Sequence, residues 1–435
     1  MRRSILALAT LAFLGSPAAA AAGDGDKESV SQLLSRGGDL EARLVADGTW
    51  LVSGNSNAYL VKTPEGAVLI DTGLGVQAQR TRKLLLEAAG SPPLRAIVLT
   101  HAHADHIGGT PLWRGDGIPV IAHRAFIERN RDQIRFESFR NRRAQVLWAA
   151  VMPSGADAVG YPEIAPDVIV DDVYEFELGG VRFEVISTPG GEGPDGVSVW
   201  LPDRRTVFTG DLLGPTVASF PNLFTLRGEN LRLVTPMLES IDRIRSLEAS
   251  ILLPGHFDPV VGKKKIDALL DRTAAAIRHV HDATVAGMNE GKDLWTLMEE
   301  VRLPPELEVS QEYGRVPWGV RAIWEAHTGW FRYESTTELY GVPPEAVYAE
   351  IGELAGGANP LAVRARAHVE AGRPLRALHL TEVALVTEPN HRGALEARLA
   401  ALELLAARDG GGNFQIAGWL RHRIGVTRAA LEQLE

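Results

Sequence analysis

Three histidines and one aspartate lie within six residues of the sequence, in His101-Ala102-His103-Ala104-Asp105-His106. In an extended chain, side chains two residues apart point to the same side, so His101 and His103 can present their imidazoles to one metal ion. After a turn, Asp105 and His106 can face a second ion. Contacts with core or solvent would explain one histidine, but three with an aspartate at this spacing predict a metal site.

Further ligand types occur at three later points, each in a turn of small residues that follows a predicted strand. Glu192 ends Thr188-Pro189-Gly190-Gly191-Glu192, Asp211 ends Thr209-Gly210-Asp211, and His256 ends Pro254-Gly255-His256. We expect the fold to bring these strand ends to the edge that carries the histidines. Imidazole and carboxylate ligands favour zinc, although such a set also binds iron or manganese. Asp71, at the end of a buried strand, is expected to orient the histidine loop without binding metal.

Short β-rich runs separated by turn residues predict two groups of strands. The first group comprises residues 50–52, 58–61, 67–71 and 95–100, and the second comprises residues 173–178, 181–187, 197–201 and 206–209. Helical spacing predicts a helix near residues 77–89 and a covering helix or pair of helices within residues 123–151. Two groups of strands with helices outside them predict an αββα sandwich of the α/β class.

The length of the chain and a change of pattern near residue 262 predict two domains. A chain of 435 residues exceeds one ordinary core. After residue 262 the strand pattern gives way to helical runs at 263–288, 294–302, 320–330, 362–371, 375–387 and 392–407. The last three are tetratricopeptide-like hairpins, too few for an array. We therefore predict a metal-binding catalytic domain at residues 23–262 and an all-α helical domain at residues 263–435.

Residues 1–22 have the pattern of a cleaved secretory signal peptide. Arg2 and Arg3 precede an apolar run of about a dozen residues and an alanine-rich stretch that ends at Ala22. The run is shorter than the roughly 20 residues needed to span a membrane, so stable membrane insertion is not expected. We expect a secreted protein, periplasmic if its source is a Gram-negative bacterium.

The composition disfavours several partners. The chain carries a formal net charge of -10, which disfavours nucleic acid and anionic membranes as partners. It contains no cysteine, so no disulfide can form. The hydrophobic fraction of 45% and the charged fraction of 23% are those of a globular protein.

The His-x-His-x-Asp-His, Thr-Gly-Asp and Pro-Gly-His motifs resemble those of the metallo-β-lactamase superfamily. Most members have a histidine directly after the Thr-Pro-Gly turn, whereas this chain has Gly191 and then Glu192, similar to the glutamate-bearing turn of the alkyl sulfatase branch. The resemblance implies two zinc ions per chain. The implied ligands are His101, His103 and Glu192 for one ion, Asp105, His106 and His256 for the other, and Asp211 as the bridge.

Two segments outside the metal motifs extend the resemblance. The sequence Asn222-Leu223-Phe224-Thr225-Leu226-Arg227-Gly228 is similar to the Asn-x-Tyr-Thr-Leu-Arg-Gly segment of alkyl sulfatases, and residues 322–331 are similar to their Lys-Ala-Ile-Tyr...Gly-Trp-Phe run. Residues 356–405 look like the dimerisation domain of that branch. The resemblance therefore implies a homodimer.

The chain departs from the branch at three points that bear on substrate. Pro221 stands where the branch has histidine, and Asp211 stands where it has glutamate. We also expect the C-terminal sterol-carrier-like domain, which offers an apolar surface to alkyl chains, to be missing, because the sequence ends at Glu435. The resemblance therefore does not imply a long-chain substrate.

The implied reaction is hydrolysis of a small anionic ester. Two divalent ions a few ångströms apart lower the pKa of a bridging water and supply a hydroxide near neutral pH. Asp105 and Asp211 are the expected catalytic carboxylates. Asn222, Thr225 and Arg227 are the expected substrate-binding residues, because a guanidinium and polar groups can hold anionic oxygens.

A sulfate ester is the leading substrate class, and two alternatives stay open. One is hydrolysis of a carboxylic ester, lactone, thioester or β-lactam, because the same nucleophile attacks carbonyl groups. The other is a zinc-binding interaction scaffold that acts through its helical domain. The glutamate turn and the Thr-Leu-Arg-Gly segment favour sulfate esters over the first alternative, and the full ligand set argues against the second.

Overall fold

The computed structural model describes residues 40–115, 117–149, 160–214, 219–410 and 412–435. The predicted signal peptide, residues 1–22, lies outside these ranges, so secretion stays a prediction. Among the described helices, none is both long enough and apolar enough to cross a membrane.

The first sheet has seven strands in sequential order. They are β1 (Ala42–Ala46), β2 (Thr49–Ser53), β3 (Asn57–Thr63), β4 (Gly66–Ile70), β5 (Leu94–Val98), β6 (Val120–His123) and β7 (Val168–Val170). Strands β1 to β4 form an antiparallel meander, and β4 to β7 run parallel to one another. The four strands predicted in this region are confirmed, with ends that differ by one or two residues.

The second sheet has six strands in the order β13-β12-β11-β10-β9-β8. They are β8 (Val173–Leu178), β9 (Val181–Ser187), β10 (Val197–Leu201), β11 (Thr206–Gly210), β12 (Ile251–Pro254) and β13 (Val260–Val261). Only the pairing of β11 with β12 is parallel among these described strands, with Phe208 opposite Leu253. Because β11 and β12 run the same way, the residues that follow them emerge at the same edge.

Helices separate the strands and follow them. They are α1 (Gly75–Ala89), α2 (Ala104–Ile107), α3 (Thr110–Trp113), α4 (Phe126–Arg135), α5 (Glu137–Leu147), α6 (Val234–Ser246), α7 (Lys263–Asn289), α8 (Leu294–Glu300), α9 (Val316–Thr328), α10 (Tyr348–Leu354), α11 (Ala358–Glu370), α12 (Pro374–Thr387), α13 (Arg392–Asp409) and α14 (Phe414–Glu432). The predicted covering pair is confirmed as α4 and α5. The helical runs predicted after residue 262 are confirmed as α7, α8, α9, α11, α12 and α13, whereas α14 was not predicted.

The two sheets pack face to face. Val68 and Val98 of the first sheet share a buried cluster with Phe183 and Phe208 of the second. Helix α1 covers the outer face of the first sheet through Leu85, and α6 and α7 cover the outer face of the second. Strands β4, β10 and β11 are buried along their whole length because both of their faces are covered. The predicted αββα sandwich is therefore confirmed, together with the helical region that follows it.

The core of the second sheet continues past residue 262. Leu212, Ile241 and Leu270 belong to one buried cluster with Ile323 of α9. Helices α7 and α9 therefore pack on the sandwich, and the division at residue 262 stays a prediction.

Small residues line the contacts among the last helices. Ala365, Ala377 and Ala401 are fully buried where α11, α12 and α13 meet. The last helix, α14, lies directly against α5, since an ideal Cβ on Gly418 would be 2.7 Å from the carbonyl oxygen of Val146. The first half of α14 therefore packs against the end of α5.

Candidate metal centre

The predicted metal ligands meet at one edge of the sandwich. The histidine motif follows β5, Glu192 lies in the turn after β9, Asp211 follows β11, and His256 follows β12. The main chain joins these loops, because the Gly255 N–H donates to the Gly210 carbonyl at 2.8 Å and the Val197 N–H donates to the Thr100 carbonyl at 2.9 Å. Both sheets therefore contribute ligands to one centre.

Asp71 holds the histidine loop in place. It follows β4 with a positive φ of 56°, a conformation that a non-glycine residue adopts only when its surroundings fix it. Its carboxylate accepts hydrogen bonds from Thr100 N–H at 2.8 Å and from His106 Nδ1 at 2.7 Å. The Asp71 contacts are those of a residue that orients the ligands without joining them.

Four of the predicted ligands form a first cluster. His256 Nε2 lies 3.4 Å from Asp105 Oδ2 and 3.1 Å from Asp211 Oδ2. His106 Nε2 lies 3.6 Å from Asp105 Oδ2 and 3.5 Å from Asp211 Oδ2. Asp211 thus contacts both histidines, and its ligand oxygen is also within 4.8 Å of a ring nitrogen of His101.

Two buried polar atoms in this cluster have no hydrogen-bond partner within the described ranges. They are His106 Nε2 and Asp211 Oδ1. A buried polar atom without a partner costs about 1–3 kcal/mol, so such atoms ordinarily face a ligand or water. A ring nitrogen and a carboxylate oxygen without protein partners fit a divalent cation, which would displace any proton from the nitrogen.

The other predicted ligands, His101, His103 and Glu192, form a second cluster. His101 Nε2 lies 2.9 Å from His103 Nδ1, and His103 Nδ1 lies 3.4 Å from Glu192 Oε2. All three side chains are buried. The structure therefore brings all seven predicted ligands into one centre. The ligand atoms of His101, His106 and Asp211 also lie within 4.8 Å of one another, so the division between two ions stays a prediction.

Burial and neighbouring charges set the pKa values of the ligand groups. Burial lowers the pKa of His101 well below its ordinary value, and the charges of His106 and His103 lower it further. Burial would raise the pKa of Asp211, but the charges of His256 and His106 hold it well below the ordinary value. At neutral pH, His101 is therefore neutral and Asp211 is ionised, which are the forms that bind a metal cation.

Arg232 anchors the Glu192 side of the centre. Its Nη1 donates to Glu192 Oε1 at 2.6 Å, and its Nη2 lies 2.6 Å from Glu192 Oε2. The Arg232 and Glu192 side chains are 1% and 4% exposed. Tyr313 adds a long hydrogen bond from its hydroxyl to Glu192 Oε1, at 3.5 Å. Glu192 is therefore fixed on one side and can face a cation on the other.

The predicted substrate-binding residues lie at different distances from the ligands. Arg227 Nη2 lies 3.2 Å from His103 Nε2, and its guanidinium carbon lies 5.0 Å from the centre of the Trp148 ring. Asn222 is connected to the centre through its carbonyl, which accepts a hydrogen bond from Arg232 at 3.0 Å. Thr225 is buried, and the described hydrogen bonds and ion pairs do not link it to a metal ligand.

Several residues of the centre were not predicted from the sequence. Glu229 contacts His103, Asp195 accepts a hydrogen bond from Ala102 N–H at 2.8 Å, and Trp148 supports Arg227. Neither Asp195 nor Trp148 lies in a motif. Glu229 directly follows the Thr-Leu-Arg-Gly segment, and this adjacency was the only sequence signal for it.

Replacing Arg232 by Met is expected to lower the free energy of unfolding of the metal-free protein by about 3–5 kcal/mol. The change would leave the buried carboxylates of Glu192 and Glu229 without a guanidinium that contacts both. Chemical denaturation measures the effect. The matched control is Arg182→Met, whose exposed pair with Asp203 should matter little. Equal losses in the two variants would contradict this role of Arg232.

Comparison with known proteins defines the class to which this fold and centre belong. Residues 52–256 match the family model of the metallo-beta-lactamase superfamily. Residues 295–415 match the model of the alkyl sulfatase dimerisation domain. The chain thus combines a metallo-beta-lactamase superfamily domain with an alkyl sulfatase dimerisation domain, and this combination places its likeness in the alkyl sulfatase-like branch.

The relatives agree with this placement. The chain is 28% identical over 333 residues to a linear primary-alkylsulfatase from Pseudomonas sp. (strain ATCC 19151), an alignment that covers 70% of this chain and 62% of that protein. It is 25% identical over 392 residues to the alkyl/aryl-sulfatase BDS1 from Saccharomyces cerevisiae, with 83% of this chain and 60% of that protein covered. The chain thus spans about three fifths of the length of these relatives.

A solved structure shares the fold across both domains. The stereoselective inverting sec-alkylsulfatase Pisa1 from Pseudomonas sp. superposes with a TM-score of 0.79 at 22% identity, covering 94% of this chain and 69% of that one. The likeness therefore includes the helical region as well as the sandwich.

Proposed function

We propose that this protein is a dinuclear zinc hydrolase that cleaves sulfate esters of small organic alcohols. The observation that carries the proposal is the position of Arg227, whose guanidinium lies 3.2 Å from the ligand histidine His103. Its side chain is 16% exposed, against 1% for Arg232 and 6% for Arg129. Arg227 is therefore the guanidinium of these three that an incoming anion can reach.

The chemistry of the donor set supports zinc. Four imidazoles and three carboxylates in two clusters suit two divalent ions of intermediate hardness. Zinc ions bound there would supply an activated water nucleophile and positive charge at neutral pH. Asp105 and Asp211 would hold that charge in place, and Arg227 would bind the anionic oxygens of the ester beside it.

The direct test is the release of inorganic sulfate from short and long alkyl and aryl sulfates by the zinc-loaded protein. We expect release that disappears in His101→Ala, because His101 belongs to the ligand set. The same preparation is also given a thioester, a lactone and a β-lactam. Turnover of one of these, with no sulfate released from any ester, would replace the proposal with carbonyl hydrolysis.

Arg227→Ala is expected to lower kcat/KM for sulfate esters by about 10- to 100-fold, mainly through KM, because charge-assisted hydrogen bonds contribute about 1.5–3 kcal/mol. Initial rates over a range of ester concentrations measure the effect. Arg227→Lys keeps the positive charge but loses the planar, two-pronged guanidinium. Its kcat/KM should therefore lie between that of the unchanged protein and that of Arg227→Ala. The control is Arg182→Ala, which removes an exposed arginine. An unchanged KM in Arg227→Ala would exclude substrate binding by this residue.

We also propose that the chain forms a homodimer through the exposed apolar segment around α10. Trp330 and Tyr340 are each 69% exposed, and Tyr333 and Leu354 are each 89% exposed. A cluster of large apolar side chains on a protein surface typically marks an interface. These residues lie within the region that matches the alkyl sulfatase dimerisation domain.

The double variant Trp330→Glu with Leu354→Glu is expected to sediment as a monomer, while the unchanged protein sediments as a dimer. Two charges buried in an apolar interface without partners would cost more than the contact contributes. The control is Leu44→Glu, which places a charge on an exposed position of β1. A double variant that stays dimeric would exclude this segment as the interface.

A further inference from the structure

The Glu229 carboxylate lies at the meeting point of a metal ligand and the proposed anion-binding arginine. His103 Nε2 lies 3.2 Å from Glu229 Oε1 and 3.3 Å from Oε2. Arg227 Nη2 donates to Oε1 at 3.1 Å, and Arg232 Nη2 donates to Oε2 at 3.2 Å. Gln133 Nε2 donates to Oε1 at 3.4 Å. The Glu229 side chain is 1% exposed, so these contacts replace water almost completely.

Glu229 contacts the ring nitrogen of His103 that is turned away from the other ligands. Both Glu229 oxygens lie near Nε2, whereas Nδ1 is the atom that faces His101 and Glu192. A carboxylate on Nε2 favours the tautomer that leaves Nδ1 free for a metal ion.

The other three ligand histidines show the same arrangement. His106 Nδ1 lies 2.7 Å from the Asp71 carboxylate, His256 Nδ1 lies 2.7 Å from the carbonyl oxygen of Asn55, and His101 Nδ1 lies 3.0 Å from Thr100 Oγ1. In each of these residues Nε2 is left to face the centre. A partner on the far nitrogen fixes the ring orientation and raises the basicity of the nitrogen that binds metal.

Glu229 differs from the other partners in where it comes from. Asp71 and Thr100 follow strands of the first sheet, whereas Glu229 belongs to the loop that also carries Arg227. We propose that Glu229 is a positioning residue for the metal ion of the second cluster, and that it orients His103 and joins the Arg227 loop to that ion's site. The inference rests on the metal-binding part of the proposed function.

The experiment measures zinc content per chain at graded concentrations of a competing chelator, without any ester. Three proteins carry Glu229→Met, Asp71→Asn, or both changes. Met keeps the approximate length of the glutamate side chain but accepts no strong hydrogen bond. Glu229→Met should weaken the binding of the ion held by His103 by about 10- to 100-fold and leave the other ion unchanged. Asp71→Asn should weaken mainly the ion held by His106, whose ring Asp71 contacts directly.

The double variant shows whether the two carboxylates act on different ions. We expect it to hold both ions weakly, because Glu229 serves the ion of His103 and Asp71 serves the ion of His106. Glu229→Gln keeps an acceptor oxygen, so it should restore most of the affinity lost in Glu229→Met. If Glu229→Met only loosened the fold, it would weaken the binding of both ions, and Glu229→Gln would not restore that binding.

Two results would overturn the inference. One is a Glu229→Met protein that holds both zinc ions as tightly as the unchanged protein does. The other is an unchanged protein that binds fewer than two ions, which would also remove the dinuclear part of the proposed function. A protein that shows the expected zinc pattern but releases no sulfate from any ester would lose the proposed substrate and keep the role of Glu229.

Discussion

Asp211→Asn is expected to reduce the proposed zinc-dependent release of sulfate by at least about 10³-fold, because loss of one stabilising group at a reacting centre already costs about 10²–10³. Asp211 is buried, its Oδ2 lies 3.1 Å from His256 Nε2, and its Oδ1 has no hydrogen-bond partner among the residues described. Asparagine would offer one neutral oxygen where the carboxylate offers two that share a negative charge. The amide nitrogen would direct two N–H donors toward the metal site.

The measurement pairs sulfate release with zinc content in the same preparation. Both should fall, since Asp211 lies between the two ligand clusters. Asp203→Asn is the matched control, because Asp203 is an exposed partner of Arg182 on the same sheet. An Asp211→Asn protein that retained two tight ions and most of its rate would show that this carboxylate does not bridge them.

Gly255→Ala is expected to weaken zinc binding by about 100-fold or more through one added methyl group, comparable to the loss of a residue that orients a metal ligand. An ideal Cβ at residue 255 would lie 2.0 Å from Asp211 Oδ1 and 2.9 Å from His106 Cε1. The backbone cannot easily retreat, because Gly255 N–H donates to the Gly210 carbonyl and the Gly255 carbonyl accepts from Asn57 N–H at 2.7 Å. The ligands themselves must move.

Overpacking of this kind also costs about 1–3 kcal/mol of folding free energy. Thermal unfolding of the zinc-free protein separates this loss from the loss of zinc affinity, which chelator competition measures. Gly425→Ala serves as the control, since an ideal Cβ there meets no atom of the described residues within 4 Å. Zinc affinity equal to that of the unchanged protein would mean that the loop yields and that the close packing at Gly255 does not shape the centre.

The parts of the centre that were predictable are those encoded locally. His101, His103, Asp105 and His106 lie within six residues, and the turns that hold Glu192, Asp211 and His256 each follow a strand with a readable β pattern. Strand ends in a sandwich meet at an edge, so a short list of candidate ligands followed from sequence. Their division between two ions came from the family resemblance.

The residues that were not predicted act over long sequence distances. Glu229 meets His103, and Tyr313 meets Glu192, only because the loops after β11 and before α9 fold over the same edge. A lone glutamate or tyrosine outside a motif carries no spacing signal. Their roles depend on tertiary packing, which no local pattern specifies.

Helix α14 was missed for a different reason. Its apolar and polar residues do not separate cleanly into two faces, since Trp419 and Val426 are about half exposed while Gln415 and Thr427 are buried. Gln415 Nε2 donates to the carbonyl of Tyr313 at 3.2 Å. The helix is thus fixed partly by polar contacts with another element, and its hydrophobic period is correspondingly weak.

The contact between α14 and the sandwich has a consequence for how this protein can change in evolution. Phe414 packs on Trp148 with ring centres 5.0 Å apart, and Trp148 in turn supports Arg227. The first residues of the last helix therefore shape the platform on which an anion would rest. Replacing that helix with the one from a relative would change the support of Arg227 while every metal ligand stayed the same, so the segments around Trp148 and Phe414 are not free to vary independently.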